Sequence, residues 1–450
     1  MNKRQIGRNA IASILQILIN GVILFVLYRF LLEVIGAKQF GIWSLVMAFT
    51  SFASVANLGF PGSVVKFVAQ SMAYEDSKKA SLVIQTSAIA IAVISGALII
   101  AVFPLIRWGL RFVISGDALA SAVALLPFSF LAFWLMMIAG VFLSALDGYK
   151  RTDMRSMILV GVSAINLLLC ISLVPQYGLM GLAYSVIAGN LSALIFSWHL
   201  IRTNNLLLPL FPFEWRTVIF KEVVGYATKF QIISITGMFG DPLTKVFLSM
   251  FGGLSMVASY EMASRLIQQL RLLIVSAYQV LIPVFSEYHE KSPKRIPQAY
   301  SKSYELIYYL ALPAFALLIL WLPLISKLWI GHVENIFVLM GSVLAVGLFL
   351  NTLAVPAYFV SLGSGELRWN VIGHVASAIL NLPLGYIGGF LFGGYGVVIG
   401  TTSALLIGSI LISIPFQLKN NIGIASYLPQ ASRPLTYFLI SGIIISQMPI

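Results

Sequence analysis

A small set of charged and polar side chains lies within segments that are otherwise apolar enough to cross a membrane. The densest group is in the stretch SMVASYEMASRLIQQLRLLIVSAYQVLIPVFS, Ser255–Ser286. Glu261, Arg265 and Gln268 are spaced i, i+4 and i+7 and so share one face of a helix, with Arg271 about 80° round from Glu261. A charge at the bilayer centre costs at least about 2.5–3.5 kcal/mol. These residues therefore predict the wall of a polar cavity inside a helical membrane protein.

Two interpretations of this group stay open. Glu261 and Arg265 form an i, i+4 pair, which could simply neutralise itself as a packing device. Arg271 has no acidic neighbour at i±3 or i±4. Because intramembrane charges commonly mark substrate or ion pathways, Arg271 favours a cavity-lining or functional role.

A second group lies in GMFGDPLTKVF, where Asp241 precedes a proline and Lys245 follows one turn later. Proline after aspartate, with Gly237 and Gly240 nearby, predicts a break in the helix. Transporters build ion and substrate sites at such breaks, although a mutual Asp241–Lys245 pair is the alternative.

Two further cations lie inside predicted helices. Arg29 is four residues before Glu33 near the end of the first helix, and Lys229 is about two turns into the seventh. For both, snorkelling to the interface is the alternative to a cavity role. The intramembrane set is net cationic, which would suit an anionic cargo such as a pyrophosphate or an acidic sugar. The candidate pathway residues are Arg29, Lys229, Asp241, Lys245, Glu261, Arg265, Gln268 and Arg271.

The composition is that of a polytopic membrane protein. Of 450 residues, 59% are hydrophobic and only 10% are charged, against about 25% charged in soluble domains. The net charge of +13 comes from cations in short loops, which argues against nucleic acid as a partner. One cysteine and four scattered histidines provide no disulfide framework and no metal-ligand spacing, so no metal is expected.

The apolar pattern predicts an all-α protein with twelve membrane helices, and a thirteenth over Pro434–Ile450 as an alternative. Residues 1–203 would form a six-helix bundle, 204–222 a cytoplasmic linker at the membrane surface, and 223–418 a second six-helix bundle, followed by an amphipathic segment at 419–450. The predicted helices are Ile11–Leu32, Gly41–Phe60, Ser81–Ile106, Ala118–Ala145, Ser156–Leu173, Leu179–Ile201, Val223–Met250, Ser255–Ser286, Tyr304–Ile325, Phe337–Val360, Val371–Phe392 and Val397–Leu418.

The loop charges predict the orientation. With a cytoplasmic N-terminus, 19 of the 28 Lys and Arg residues lie on the cytoplasmic side and 5 on the outer side. This bias follows the positive-inside rule and predicts a multi-pass protein whose N-terminus is cytoplasmic.

The two halves show an internal repeat. Asn166, Leu167, Gly178 and Gly181 recur as Asn381, Leu382, Gly393 and Gly396, at an offset of 215 in all four cases. Both sets fall between the fifth and sixth helix of their half. A repeat after an even number of helices keeps its membrane orientation, so the pattern predicts a parallel repeat.

No catalytic residue is predicted. The sequence has no Walker lysine loop, no G-x-S-x-G elbow and no H-E-x-x-H motif, and no large extramembrane domain. The chain is therefore expected to be a transporter rather than an enzyme, without a cofactor, and driven by an ion gradient, the membrane potential or the cargo gradient.

The stretch Leu31–Gln70 resembles the first two helices of the polysaccharide-exporter branch of the MOP superfamily, the Wzx-type oligosaccharide flippases. The matching features in this stretch are Gly36, Phe40-Gly41-Ile42-Trp43 and Leu58-Gly59. The second half adds Asp241 with Lys245 ahead of a Phe-Gly-Gly turn, Ser259-Tyr260, Ala263, Arg265-Leu266 and Pro283. The resemblance spans about residues 10–418.

This resemblance implies a V-shaped pair of six-helix bundles that flips undecaprenyl-diphosphate-linked oligosaccharide to the periplasmic leaflet by alternating access. It implies that Asp241, Lys245 and Arg265 line the transport cavity. It also suggests that transport is coupled to H⁺ or Na⁺. The partners implied are the lipid-linked oligosaccharide, the bilayer and, as an open possibility, glycan polymerase or assembly proteins. The alternatives are a cation-coupled multidrug exporter of the same fold and, ranked last, a membrane polysaccharide polymerase.

Overall fold

The computed structural model describes residues 3–57, 59–204, 208–209, 212–226, 240–278, 281–420, 422 and 437. Within these ranges the regular structure is helical and contains no β-strand. The chain divides into two compact units, Met1–Met238 and Phe239–Ile450.

The first unit contains six long or medium helices and the described part of a seventh. A 3₁₀ turn, Phe52–Asn57, leads from the first helix towards the second. The helices are α1 (Lys3–Ser51), α2 (Phe60–Ala73), α3 (Ser77–Leu110), α4 (Gly116–Gly148), α5 (Thr152–Tyr177), α6 (Leu179–Asn204) and α7 (217–226).

The second unit has seven described helices. A short 3₁₀ turn, Pro293–Arg295, precedes the fourth of them. The helices are α8 (Asp241–Phe251), α9 (Leu254–Tyr278), α10 (Ile282–Lys291), α11 (Ile296–Ile330), α12 (Asn335–Thr352), α13 (Val355–Ser364) and α14 (Arg368–Lys419).

Eight helical stretches in the described part of the chain are long and apolar enough to cross a membrane. Two of them are double-length. The 49-residue α1 has non-helical backbone at Gly36, and the 52-residue α14 is broken at Phe392 and Gly393. An unbroken helix of 52 residues would be about 78 Å long, more than twice the hydrocarbon core of a bilayer. The breaks lie at the predicted borders between helices one and two and between helices eleven and twelve.

Three predicted helices are wrong as single elements. The predicted span Gly41–Phe60 is α-helical only to Ser51, a 3₁₀ turn follows, and the separate helix α2 begins at Phe60 with a proline in its first turn. The predicted span Ser255–Ser286 ends at Tyr278, and α10 begins at Ile282 with a proline in its first turn. The predicted span Phe337–Val360 ends at Thr352, and α13 likewise begins with a proline in its first turn. Proline fits the first turn of a helix but removes a hydrogen bond from a helix interior, so each proline marks a new start. The predicted thirteenth helix, Pro434–Ile450, lies outside the described residues except for Tyr437.

The backbone supports the internal repeat. Gly178 and Gly393 have similar positive-φ conformations, φ 56°, ψ −130° and φ 62°, ψ −151°. A Cβ on Gly181 would lie 2.4 Å from the Leu173 carbonyl oxygen, and one on Gly396 would lie 1.9 Å from that of Gly388. The contacted residues, 173 and 388, are also 215 apart. Both units therefore use the same helix–turn–helix packing at this junction.

Candidate functional site

The site in the second unit is built on the start of α8, where the sequence predicts a helix break. Gly240 is the N-cap and Asp241 the first residue, with a proline in the first turn. A proline is tolerated there, and an acidic group near a helix N-terminus is favoured by the helix dipole. The Asn381 amide of α14 donates a hydrogen bond to the Gly240 carbonyl oxygen at 3.2 Å. This bond fixes the start of α8 against α14.

Four charged side chains of α8 and α9 form a continuous chain of ion pairs. Lys245 Nζ lies 2.7 Å from Asp241 Oδ2 and 2.5 Å from Glu261 Oε2. Arg265 Nε donates to Glu261 Oε1 at 2.8 Å. The Lys245 and Glu261 side chains are only 4% and 7% exposed, whereas that of Arg265 is 50% exposed. The series of ion pairs therefore runs from the partly exposed Asp241, through the buried Lys245 and Glu261, to the half-exposed Arg265 guanidinium.

The order of charges in this chain is negative, positive, negative, positive, so the four groups balance. Both mutual pairs considered from the sequence, Asp241–Lys245 and Glu261–Arg265, are present. The Lys245–Glu261 contact joins the two pairs and was not predicted. These four residues consequently carry no net positive charge, and the expected cationic character must come from other residues.

A small polar cavity adjoins the charged chain. Its volume is about 160 Å³, and Asp241, Thr244, Gln268 and Asn381 are among its lining residues. Asp241 Oδ1 is buried and, within the described ranges, has no hydrogen-bond partner. Since a water occupies about 30 Å³, the cavity has room for a few waters or a small hydrated cation. Because Tyr260 hydrogen-bonds to the Asp241 carboxylate and Lys245 contacts its Oδ2, a proton or a cation bound there would share the carboxylate with both residues.

Gln268 is held inside this site by its own helix. Its amide donates to the Ser264 hydroxyl at 2.7 Å, and both residues line the cavity. The other polar side chains of the lining are Tyr260, Ser377, Thr401 and Thr402. Sequence spacing identified Gln268, but the contribution of α14 through Thr402 and Asn381 was not predicted as part of a site.

Arg271 belongs to a second cluster further along α9. Its Nε atom and the Nε2 atom of His374 on α14 are buried and, among the residues described, have no hydrogen-bond partner. The Arg271 charge disfavours a protonated His374, and the Tyr358 ring packs edge-on against His374 with centroids 5.8 Å apart. The Arg271 Nε is a charged donor, so an anion is the group that would satisfy it. His374 was missed because a lone histidine has no ligand spacing to signal it.

The two remaining candidates are not part of these clusters as described. Arg29 lies in the first unit, where its Nε is 2.9 Å from Glu33 Oε1 and both side chains are more than half exposed. That geometry is an ordinary surface pair. Lys229 lies outside the described residues. In the described part of the chain, no three His, Cys, Asp or Glu residues are grouped so as to hold a metal ion.

The fold is that of MOP-superfamily transporters. It superposes on an inward-facing multidrug resistance transporter of the MATE family in that superfamily with a TM-score of 0.77, 17% identity, and coverage of 88% of this chain and 94% of the other. It also superposes on the lipid II flippase MurJ with a TM-score of 0.73, 12% identity, and coverage of 98% and 93%. The protein therefore shares the fold of these solved proteins, and its eight long apolar helical stretches make it a multi-pass membrane protein.

Residues 6–289, more than half of the chain, match the polysaccharide biosynthesis protein family, and the chain belongs to that family. A curated relative, the "Putative O-antigen transporter" of Shigella flexneri, is 22% identical over 399 residues, which cover 85% of this chain and 91% of the relative. The resemblance to the polysaccharide-exporter branch is thereby confirmed, and its members are transporters rather than enzymes.

Proposed function

We propose that this protein is a flippase that moves an undecaprenyl-diphosphate-linked oligosaccharide from the inner to the outer leaflet of a bacterial inner membrane, for surface polysaccharide assembly. The observation that carries the proposal is the match to the polysaccharide biosynthesis family over residues 6–289. The N-terminus would be cytoplasmic, as the loop charges predict, and transport would proceed by alternating access.

The Arg271–His374 cluster supports an anionic cargo. The neutral balance of the Asp241–Arg265 chain leaves Arg271 as a cation whose buried Nε lacks a hydrogen-bond acceptor within the described residues. A diphosphate oxygen would supply that acceptor with a charge-assisted hydrogen bond. We propose that the cluster contacts the diphosphate during transport.

We expect Arg271→Gln to reduce translocation about tenfold or more, because a hydrogen bond to a charged group contributes about 1.5–3 kcal/mol. The assay reconstitutes the purified full-length protein in liposomes with a polyprenyl-diphosphate oligosaccharide and measures how much glycan becomes accessible to a lectin outside. Arg107→Gln, which removes an exposed cation near the end of α3, is the matched control. Equal loss in both variants, or none in Arg271→Gln, would count against an anion-binding role.

The cavity at Asp241 supports coupling to a cation, H⁺ or Na⁺. Its buried Oδ1 has room beside it and, in the described part of the chain, no hydrogen-bond partner. Protonation or cation binding there would compete with Lys245 for the carboxylate, so it would change the balance of the charged chain at the start of α8. This is how occupancy of the cavity would be linked to a change of conformation.

Asp241→Asn keeps the size of the side chain but removes its charge. We expect this variant to translocate the glycolipid at a rate that no longer responds to an imposed pH or Na⁺ gradient, whereas the wild-type rate responds to one of them. The same liposomes provide the measurement. A variant that keeps the full gradient response would exclude Asp241 as the coupling residue.

The alternative function is a cation-coupled multidrug exporter, which the fold similarity to a MATE transporter favours. Such a protein handles cationic amphiphiles, for which Arg271 is an unfavourable neighbour. Selective binding of organic cations by the purified protein would favour that alternative. A polysaccharide polymerase is ranked last, because neither the sequence nor the family match points to catalysis. Contacts with a polymerase or other assembly proteins are part of the proposal.

A further inference from the structure

An apolar groove lies in the first unit between α3, α4 and α6. Its volume is about 600 Å³, within the about 300–1,000 Å³ of small-molecule sites. Ile89 and Val93 of α3, Phe142 of α4 and Ile195 of α6 are among its walls. Val93 and Ile195 are 64% and 53% exposed, so the groove is open and its walls present apolar side chains. An apolar chain is the kind of ligand that such walls accept.

The groove is also lined by basic side chains. Arg202, in the last turn of α6, and His199, almost one turn earlier, contribute to the lining. Arg202 Nε is buried and has no hydrogen-bond partner within the described ranges. Arg202 is favourably placed for the helix dipole at the end of α6, but that general attraction leaves the Nε donor unpaired. An arginine keeps its charge in proteins, so an anionic acceptor is the group that would satisfy this donor.

The segment before α7 contributes to the same groove through Pro212 and Phe213. It is attached to α3 by side chains that are fully buried. The Glu214 amide donates to Gln85 Oε1 at 3.1 Å, and the Arg216 amide donates to Thr86 Oγ1 at 3.3 Å.

The same attachment also engages Glu214, the acidic side chain of this segment. The Gln85 amide donates to the Glu214 carboxylate at 3.4 Å, which engages that carboxylate at α3. The groove thus combines apolar walls, a fixed segment at one side and an arginine whose Nε has no hydrogen-bond partner among the described residues.

We infer that this groove binds one acyl chain of an anionic phospholipid, with the lipid phosphate on Arg202. The argument is charge complementarity, because apolar walls beside an arginine whose Nε has no partner within the described residues match a lipid tail with a negative head group. Arg202 lies on the side that the loop charges predict to be cytoplasmic, where basic pockets between membrane helices bind such head groups. Inorganic phosphate would leave the apolar walls empty. The inference does not depend on the identity of the transported cargo.

The test is native mass spectrometry of the delipidated full-length protein after incubation with equal amounts of phosphatidylglycerol and phosphatidylcholine. The wild type is expected to retain phosphatidylglycerol preferentially. Arg202→Gln should lower that retention about fivefold. This factor corresponds to the attraction of about 1 kcal/mol that one basic residue contributes near an anionic membrane surface. Val93→Trp, which fills the groove from an exposed position, should lower it without removing a charge.

Lys221→Gln is the matched control, because Lys221 is an exposed cation that does not line the groove. It should retain the lipid as the wild type does. Equal losses in Lys221→Gln and Arg202→Gln would show general attraction to cations and overturn the inference. Full retention by Arg202→Gln, equal retention of the two lipids, or displacement of phosphatidylglycerol by an equimolar polyprenyl phosphate would overturn it as well.

Discussion

Lys245 is the residue on which the charged chain of the second unit depends. Its ammonium group contacts the Asp241 and Glu261 carboxylates at once, and its side chain is almost fully buried. Buried ions are tolerated where their partners compensate for the lost hydration, and removing one partner leaves an uncompensated charge. Lys245 therefore joins α8 to α9, because its positive charge is shared by one carboxylate from each helix.

We expect Lys245→Met to lower the free energy of unfolding by about 3–5 kcal/mol, because two carboxylates would then lose their shared partner. Thermal unfolding of the purified protein in detergent, followed by tryptophan fluorescence, provides the measurement. Arg29→Met is the matched control, since it also removes one cation from an ion pair, but an exposed one worth about 0–1 kcal/mol. Equal melting temperatures for the two variants would contradict this role of Lys245.

The repeated turn between helices is the element for which sequence and structure agree most fully. Gly181 and Gly396 each face a backbone carbonyl that is too close for a Cβ atom. Small residues of this kind let two helices approach at backbone distance. Since both glycines recur at one offset and face equivalent carbonyl oxygens, those of Leu173 and Gly388, they should respond alike to substitution.

Gly181→Ala and Gly396→Ala should each destabilise the protein by about 1–3 kcal/mol, the range for overpacking a close contact. The control is Gly161→Ala in α5, where an added Cβ meets no atom within 4 Å. That variant should gain stability by up to about 1 kcal/mol, because alanine is the better helix former. Melting temperatures of the three variants test the argument, and stabilisation at either repeat position would refute it.

At the scale of single elements, the features that could be predicted from the sequence are those set by residues close together along the chain or by a fixed offset between the two halves. The break at Asp241, the two mutual ion pairs and the repeated glycines follow from local spacing, proline chemistry or a fixed offset. The Lys245–Glu261 contact joins two helices across a turn, and the electrostatic interaction of Arg271 with His374 joins residues about a hundred positions apart. Helical periodicity carries no information about which faces of different helices meet, so neither contact was predicted.

At the scale of the whole molecule, the fold defines the class of transporter but not the cargo. The chain superposes on both a multidrug transporter and a lipid flippase, with low sequence identity to each. One fold therefore carries different cargoes, and the residues of the site must decide. The family match, together with an Arg271 Nε that has no hydrogen-bond partner in the described part of the chain, favours the proposed diphosphate-linked glycan over an organic cation.

The most direct test of the proposed function is mass spectrometry of polyprenyl-linked saccharides in a strain that lacks this gene. We expect one completed oligosaccharide on its lipid diphosphate to accumulate and the surface polymer to be absent, with both restored by the wild-type gene. An unchanged lipid pool together with greater sensitivity to organic cations would contradict the flippase function and favour a drug exporter.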